Sequence, residues 1–205
     1  AKSRAKGIGS LMALCSALMA AGGISPSSAT GVTAEDYVDP VDGSGTTVGL
    51  ETSDGNVDVP FVNIKAPTNG VSHNQYTKFN VPTEGLILNN TTGASGEVFE
   101  SQLLNDDGDN VFTNEVPVNF VDGSPATLII NEVLSGNAPS QLLGSIEVVT
   151  SAVLETREVE GQGTVSIPLP ADVIIANPNG ITCNDCGFIN VDQAVLATGS
   201  VDSAT

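Results

Sequence analysis

Short apolar runs separated by turn-forming residues limit the folds available to this chain more than any other feature. From Val57 onward such runs alternate with turn signals, among them Thr68-Asn69-Gly70, Asp122-Gly123 and Asn184-Asp185. Short strands at regular spacing, with no long stretch of amphipathic helix periodicity, predict an all-β protein. A sandwich, a barrel and the stacked coils of a β-solenoid all satisfy this pattern, and composition does not choose among them.

The individual strands are predicted from β-branched and apolar residues bounded by turns. The strongest prediction covers residues 127–133, where Leu128, Ile130 and Val133 lie among β-branched neighbours. Continuous apolar runs such as Leu86-Ile87-Leu88 are typical of strands buried on both faces. The other predicted strands cover residues 59–65, 75–81, 85–89, 98–104, 116–120, 145–154, 163–169, 172–176, 188–191 and 193–198.

The first 29 residues have the pattern of a secretory signal peptide. Three basic residues within positions 1–7 precede an apolar stretch over residues 8–24, and Ser27-Ser28-Ala29 offers small residues for cleavage. A membrane-spanning helix is the alternative, but it needs about 20 apolar residues, and Gly22-Gly23 interrupts this stretch. We therefore expect residues 1–29 to be a signal peptide and the protein to be exported.

Acidic residues greatly outnumber basic ones in the chain after Ala29. Residues 30–56 are acidic and Gly-rich, which predicts a flexible leader with little fixed structure, followed by one β domain over residues 57–205. Beyond Ala29 the only bases are Lys65, Lys78 and Arg157, so the net charge there is −21 (3 − 24). Such a charge disfavours binding to nucleic acids and to anionic membranes.

Cys183-Asn184-Asp185-Cys186 has three interpretations. In an exported protein a local disulfide between Cys183 and Cys186 is favoured. A zinc site would need about four ligands, and beyond the signal peptide the chain adds only the single His73 to these two thiols. A thioredoxin-like redox pair would lie at a helix N-terminus, and no helix is predicted after Cys186. We expect no metal and no cofactor.

Neither His73 nor the acidic loops give a convincing catalytic or metal site. His73 has no recognisable nucleophile and orienting acid around it in sequence, so it is interpreted as a hydrogen-bonded structural residue. The stretch at residues 106–110 lacks the alternating spacing and distal Glu of a calcium-binding EF-hand loop. No other convergent acid, base or nucleophile is recognisable, so we predict that the chain is not an enzyme.

Asn177-Pro178-Asn179-Gly180 is a turn with a physical basis. Pro178 presets φ for the second position, and Asn179 and Gly180 tolerate positive φ. The turn has two interpretations, a tight corner between coils of a solenoid or an element recognised by a partner. The residues alone favour the corner.

Three longer segments resemble a known family. They read VNIKAPTNGVSHNQYTKFNVPTEGLILNN (residues 62–90), ATLIINEVLSGNAPSQLLGSIEV (126–148) and ANPNGITCNDCGFINVDQAVLATG (176–199). Together, in order and spacing, they resemble the two-partner secretion domain of filamentous-haemagglutinin-type exoproteins. That family includes adhesins, haemolysins and contact-dependent growth-inhibition toxins. The resemblance covers residues 57–199.

The resemblance implies a fold and a role. The fold is a right-handed parallel β-helix with an N-terminal cap and extra-helical β-hairpins. The role is that of an N-terminal secretion-targeting module, which carries a large exoprotein through the periplasm to the cell surface. Its partner is a dedicated TpsB-type outer-membrane transporter with periplasmic polypeptide-transport-associated domains. We expect a monomer with no small-molecule substrate; an adhesive, glycan-binding module is the alternative.

The resemblance also implies site residues, and it has three departures, the first being the acidic segment before Val57, which is unlike the family. Transporter recognition falls on Asn177, Pro178, Asn179, Gly180 and Ile181, together with His73 and Asn74. An Asn-Pro-Asn-Leu motif that family members often carry ahead of the second segment is missing, so its role cannot be transferred. Residues 150–170 look inserted, and we expect an extra hairpin there with Gly161-Gln162-Gly163 at its tip.

Overall fold

Strands that pair mainly in parallel account for most of the structure. The computed structural model describes residues 32–52, 58–103, 115–159 and 163–201. Among these residues no helix is long and apolar enough to cross a membrane. A short 3₁₀ helix at Ala34–Asp36 precedes strands β1 (Val38–Pro40), β2 (Thr47–Thr52), β3 (Asp58–Asn63), β4 (Val71–Phe79), β5 (Leu86–Asn90), β6 (Val98–Glu100), β7 (Glu115–Pro117), β8 (Leu128–Val133), β9 (Ser140–Leu142), β10 (Ser145–Thr150), β11 (Val153–Val159), β12 (Gly163–Pro168), β13 (Ala171–Ala176), β14 (Ile181–Cys183), β15 (Gly187–Ile189) and β16 (Val191–Ala197).

The chain winds through three strips of strands. We call the strip β1-β4-β8-β13-β16 sheet A and the strip β15-β10-β5-β3-β2 sheet B. A third strip is made by β9 and β14 in parallel, with Val81 bridged to Leu142. Successive strands pass from sheet B to sheet A, to the third strip and back to sheet B. This order is a parallel β-helix, and it confirms the fold predicted from the resemblance.

Equivalent residues of successive coils stack on one another inside the helix. In sheet B, Leu88 aligns with Val62 on one side and Val148 on the other, and all three are buried. In sheet A, Ile129 aligns with Val173 in the same way. This core therefore comes from inward-facing positions repeated once per coil, and burial of apolar side chains is its main source of stability.

The N-terminal end of the helix is closed by a cap. β1 pairs antiparallel with β4, and β2 pairs antiparallel with β3, so the first strands of both sheets have partners. Val38 is fully buried in the core. The prediction of a flexible leader is thus wrong for residues 32–52. Acidic, Gly-rich composition hid the few apolar residues that the cap needs to cover an otherwise bare sheet edge.

Two insertions leave the helix at the same corner, between a strand of sheet B and the next strand of sheet A. The first insertion runs from residue 91 to residue 127 and contains β6 and β7. Its described part packs over the outer face of sheet B, where Val59, Ile87, Val116 and Val149 form a second buried cluster. The second insertion, residues 151–170, is the predicted hairpin, with β11 and β12 paired antiparallel. Its predicted tip begins outside the described residues.

Most predicted strands are present with shifted ends. β9 and β14 were not predicted because each is three residues long and neither lies in an apolar run of four residues or more. The signal peptide and the acidic stretch at residues 106–110 lie outside the described residues, so those predictions stay predictions.

Candidate functional site

The turn at residues 177–180 is the corner between sheet A and the third strip in the third coil. Asn177 has no solvent exposure, and its Nδ2 donates to the carbonyl of Ala138 at 3.0 Å and to Ser140 Oγ at 2.9 Å. Its Oδ1 accepts the backbone N–H of Asn179 at 2.8 Å. The Asn177 side chain therefore ties this corner to the previous coil.

Asn179 adds a second set of contacts to the same neighbour. Its Nδ2 donates to the carbonyl of Leu134 at 3.0 Å, and its Oδ1 accepts the N–H of Gly136 at 2.9 Å. Gly180 has φ of 118°, a conformation open to few residues other than glycine. Pro178 and Ile181 are half-buried. Ile181 packs against the core, so the accessible part of this corner consists of Pro178 and backbone.

Asn74 is a second inward-facing connector. Its Oδ1 accepts Thr46 Oγ1 of the cap at 2.9 Å and the N–H of Lys65 at 2.8 Å. Its Nδ2 donates to the carbonyl of Ile130 in the next coil at 3.2 Å. Asn74 is fully buried, so it holds the cap, a corner and two coils in register.

His73 precedes Asn74 on β4, and its side chain faces outward. Its Nε2 lies 2.9 Å from Glu132 Oε2, and 27% of its side chain is exposed. In the register of sheet A, His73 aligns with Ile130 and that residue with Ile174. The corner at Asn177 begins further along β13 and two strands away. The structure thus places His73, Asn74 and the corner on one sheet without joining them into one surface.

Cys183 and Cys186 form a disulfide, as predicted, across the corner between β14 and β15. Cys183 and Cys186 have Cα atoms 5.4 Å apart. Asp185 between them has φ of 61°, and the N–H of Asn184 donates to the carbonyl of Leu142. Because the loop is so short, the bond fixes the corner more than it restricts the unfolded chain.

Two buried carboxylates were missed by the sequence reasoning. Glu147, on the outer face of sheet B, accepts Ser101 Oγ at 2.6 Å and the N–H groups of Gln102 at 2.9 Å and Leu103 at 3.1 Å. Glu132 is likewise buried on the outer face of its sheet, sheet A. Nothing in an isolated Glu signals burial, since this residue type is almost always exposed unless paired.

Ionisable side chains in the described residues form no cluster of three that could hold a metal ion. The fully buried Tyr76 donates its O–H to Asn131 Oδ1 at 2.9 Å, and burial raises its pKa far above the usual value. Its hydroxyl therefore remains a protonated structural donor. What the described site residues present is therefore a surface shaped by hydrogen-bonded corners and by the backbone.

A parallel β-helix with a capped start and extra-helical insertions at one corner defines the structural class. Residues 37–204 match the family described as the TPS secretion domain. The chain belongs to this family. As a secretion domain of the exoprotein type, it is exported through the periplasm to the cell surface or the extracellular space.

Individual relatives agree with this assignment. The chain is 42% identical over 142 residues to the 16S rRNA endonuclease CdiA of Enterobacter cloacae subsp. cloacae, which is 69% of this chain and 3% of that protein. It is 37% identical over 153 residues to a hemolysin of Proteus mirabilis, covering 74% of this chain and 8% of that protein. The chain therefore spans only a small fraction of these relatives.

A solved structure shows the same architecture. The filamentous hemagglutinin secretion domain aligns with 81% of this chain and 44% of its own, at 30% identity and a TM-score of 0.55. At this identity and overlap the likeness supports both the fold and the family.

Proposed function

We propose that this domain targets its exoprotein to a dedicated outer-membrane transporter by binding that transporter's periplasmic polypeptide-transport-associated domains. The observation that carries the proposal is the family match over residues 37–204, which includes all of the described β-helix and both strands of its cap. The domain works as a monomer without enzymatic activity, and it follows a signal peptide at residues 1–29. Its boundary lies at the cap, near residue 32, because residues 32–52 close the helix.

Within the domain we assign contact with the transporter to the corner at residues 177–181. Pro178 supplies the outward side chain, whereas the side chains of Asn177 and Asn179 bond to the previous coil and Ile181 packs against the core. Asn177 and Asn74 are therefore positioning residues that shape the surface from inside. His73, on the outer face of sheet A, is a peripheral contact.

The corner can be tested in a strain that secretes the full exoprotein through its cognate transporter. Pro178→Ala should reduce the secreted fraction several-fold while leaving the thermal unfolding of the domain within about 2 °C of the parent. The matched control is Asn184→Ala, an exposed residue on the neighbouring corner. Its secretion should equal that of the parent.

Asn177→Ala tests whether the shape of the corner matters in addition to its outward contact with the transporter. It removes the bonds to Ala138 and Ser140, and we expect a loss of about 2 kcal/mol in unfolding free energy together with reduced secretion. Unchanged secretion in both Pro178→Ala and Asn177→Ala would refute the assignment of the corner. Unchanged secretion after deletion of residues 32–201, or no binding of the domain to the purified periplasmic domains, would refute the proposed function itself.

A further inference from the structure

Glu132 lies on the outer face of sheet A, yet only 6% of its surface is exposed. The inward position next to it is Asn131, so the alternation of β8 directs the Glu132 side chain outward. Its Oε2 lies 2.9 Å from His73 Nε2 and 3.4 Å from Gln75 Nε2. Both partners lie on β4, the neighbouring strand, where Gln75 aligns with Glu132.

The other carboxylate oxygen is bound by a distant part of the chain. Glu132 Oε1 accepts the backbone N–H of Val201 at 2.9 Å. Val201 follows β16, which lies two strands away from β8 in sheet A. Residues 198–201 therefore come back to the outer face of sheet A. Ala176, which aligns with Glu132 and with Ala197 on that face, is fully buried.

This path differs from that of the preceding coil. After β13 the chain turns at Asn177–Gly180 into β14 of the third strip, with the N–H of Ser140 bonded to the carbonyl of Gly180. Residues 198–201, which follow β16 as residues 177–180 follow β13, do not take that corner, because Val201 is bonded to Glu132. The chain thus leaves the coil path at residue 198.

We infer that Glu132, oriented by His73 and Gln75, is a binding site for a backbone amide, and that its ligand is the segment 198–201 of the same chain. We call this segment the strap. The site holds the strap against the outer face of sheet A.

Physical reasoning supports an occupied site. A buried carboxylate needs donors for both oxygens, and His73 and Gln75 both serve Oε2. Among the described residues the N–H of Val201 serves Oε1. A hydrogen bond to a charged group contributes more than a neutral one, so release of the strap would leave a costly unsatisfied oxygen.

The test uses residues 30–205 and ¹⁵N NMR. In the parent protein the amide of Val201 should be protected from exchange, and Gly199 and Ser200 should show heteronuclear NOE values close to those of β16. Glu132→Ala should lower the protection of Val201 about tenfold or more and reduce the NOE values of Gly199 and Ser200. Exposed Glu84 provides the control, and Glu84→Gln should change neither readout.

A second variant removes the donor instead of the acceptor. Val201→Pro leaves Glu132 and its partners on β4 unchanged, and it should loosen Gly199 and Ser200 as Glu132→Ala does. Core amides such as that of Ile175 should remain protected in both variants. If Glu132→Ala loosened the whole domain, the result for Val201→Pro, which keeps Glu132, would decide whether the strap is held by this bond. Rigid Gly199 and Ser200 in Val201→Pro would overturn the inference.

Discussion

Buried asparagines connect one coil to the next at Asn74 and Asn177, and Asn90 ties the end of the first insertion to β5. Asn74, Asn90 and Asn177 are almost fully buried, and each side chain bonds to backbone groups of another segment. Asn90 both accepts from the N–H of Ala126 at 2.7 Å and donates to its carbonyl at 2.9 Å. An amide side chain suits a corner because it offers a donor and an acceptor together. These residues specify coil alignment as well as stability.

A single carboxylate gives a pH-dependent prediction at this scale. Glu51 on β2 lies opposite Val59, a member of the cluster over sheet B, and burial raises its pKa above the ordinary value of 4.5. The ionised form is therefore disfavoured by folding, and this cost is present at neutral pH and absent below about pH 4.

Glu51→Gln should stabilise the domain at pH 7 by about 0.5 kcal/mol or less, and the gain should vanish at about pH 3.5. Urea unfolding at the two pH values measures it. Glu35→Gln on the exposed 3₁₀ helix is the control. A gain from Glu51→Gln that grew as the pH fell would contradict the assigned cause.

At the scale of secondary-structure elements, Glu147 holds the first insertion against sheet B. The first insertion covers the outer face of sheet B, and the turn at residues 101–103 reaches the carboxylate of Glu147 with one hydroxyl and two N–H groups. Glu147→Gln replaces one acceptor oxygen by a donor that faces those donors. We expect a loss of about 2 kcal/mol in unfolding free energy.

Hydrogen exchange locates this effect. Amides of β6 and β7 should lose protection in Glu147→Gln while those of β8 and β13 keep it, and Glu84→Gln should leave both sets unchanged. Equal loss in all four strands would mean that Glu147 supports the helix as a whole rather than the insertion.

Element prediction from sequence succeeded where apolar side chains are dense. β8 was predicted within a residue because Leu128–Val133 is a run in which apolar residues predominate. The cap failed because Val38 and the half-buried Val48 and Leu50 are dispersed among acids and glycines. Pairing with β3 and β4, which stabilises these strands, is a non-local property that no local pattern records.

Prediction of the candidate site had a similar limit. The residues of the corner at 177–180 were found, because Asn, Pro and Gly have intrinsic turn preferences. Their burial was not foreseen, since the previous coil that accepts their hydrogen bonds lies about forty residues earlier in the chain. The strap and its carboxylate were missed for the same reason.

At the scale of the whole molecule, the cap at residues 32–52 covers the first sheet edges of the β-helix and protects them from association. Without residues 32–52 the edges of β3 and β4 would expose unpaired backbone groups, and such edges promote association. Deletion of these residues should lower the melting temperature by about 10 °C or more and produce oligomers.

Size-exclusion chromatography with light scattering and thermal unfolding measure this outcome. The control replaces residues 153–168, the hairpin of the second insertion, by two glycines, because that hairpin makes its main contacts within itself. It should remain monomeric with a melting temperature close to that of the parent. A monomeric, equally stable protein lacking the cap would show that the helix does not need it.

The corner from sheet B to sheet A has a different length in every coil. It spans residues 64–70, 91–127 and 151–170 in turn, and then only Asn190, whose φ of 55° completes the turn alone. The strands on either side keep their register between the first three coils, and β16 shifts by one residue against β13 after Val191. Lineages can therefore exchange, lengthen or lose segments along one margin of the protein without refolding it. For an engineer, the Asn190 corner is the position at which to graft a foreign epitope.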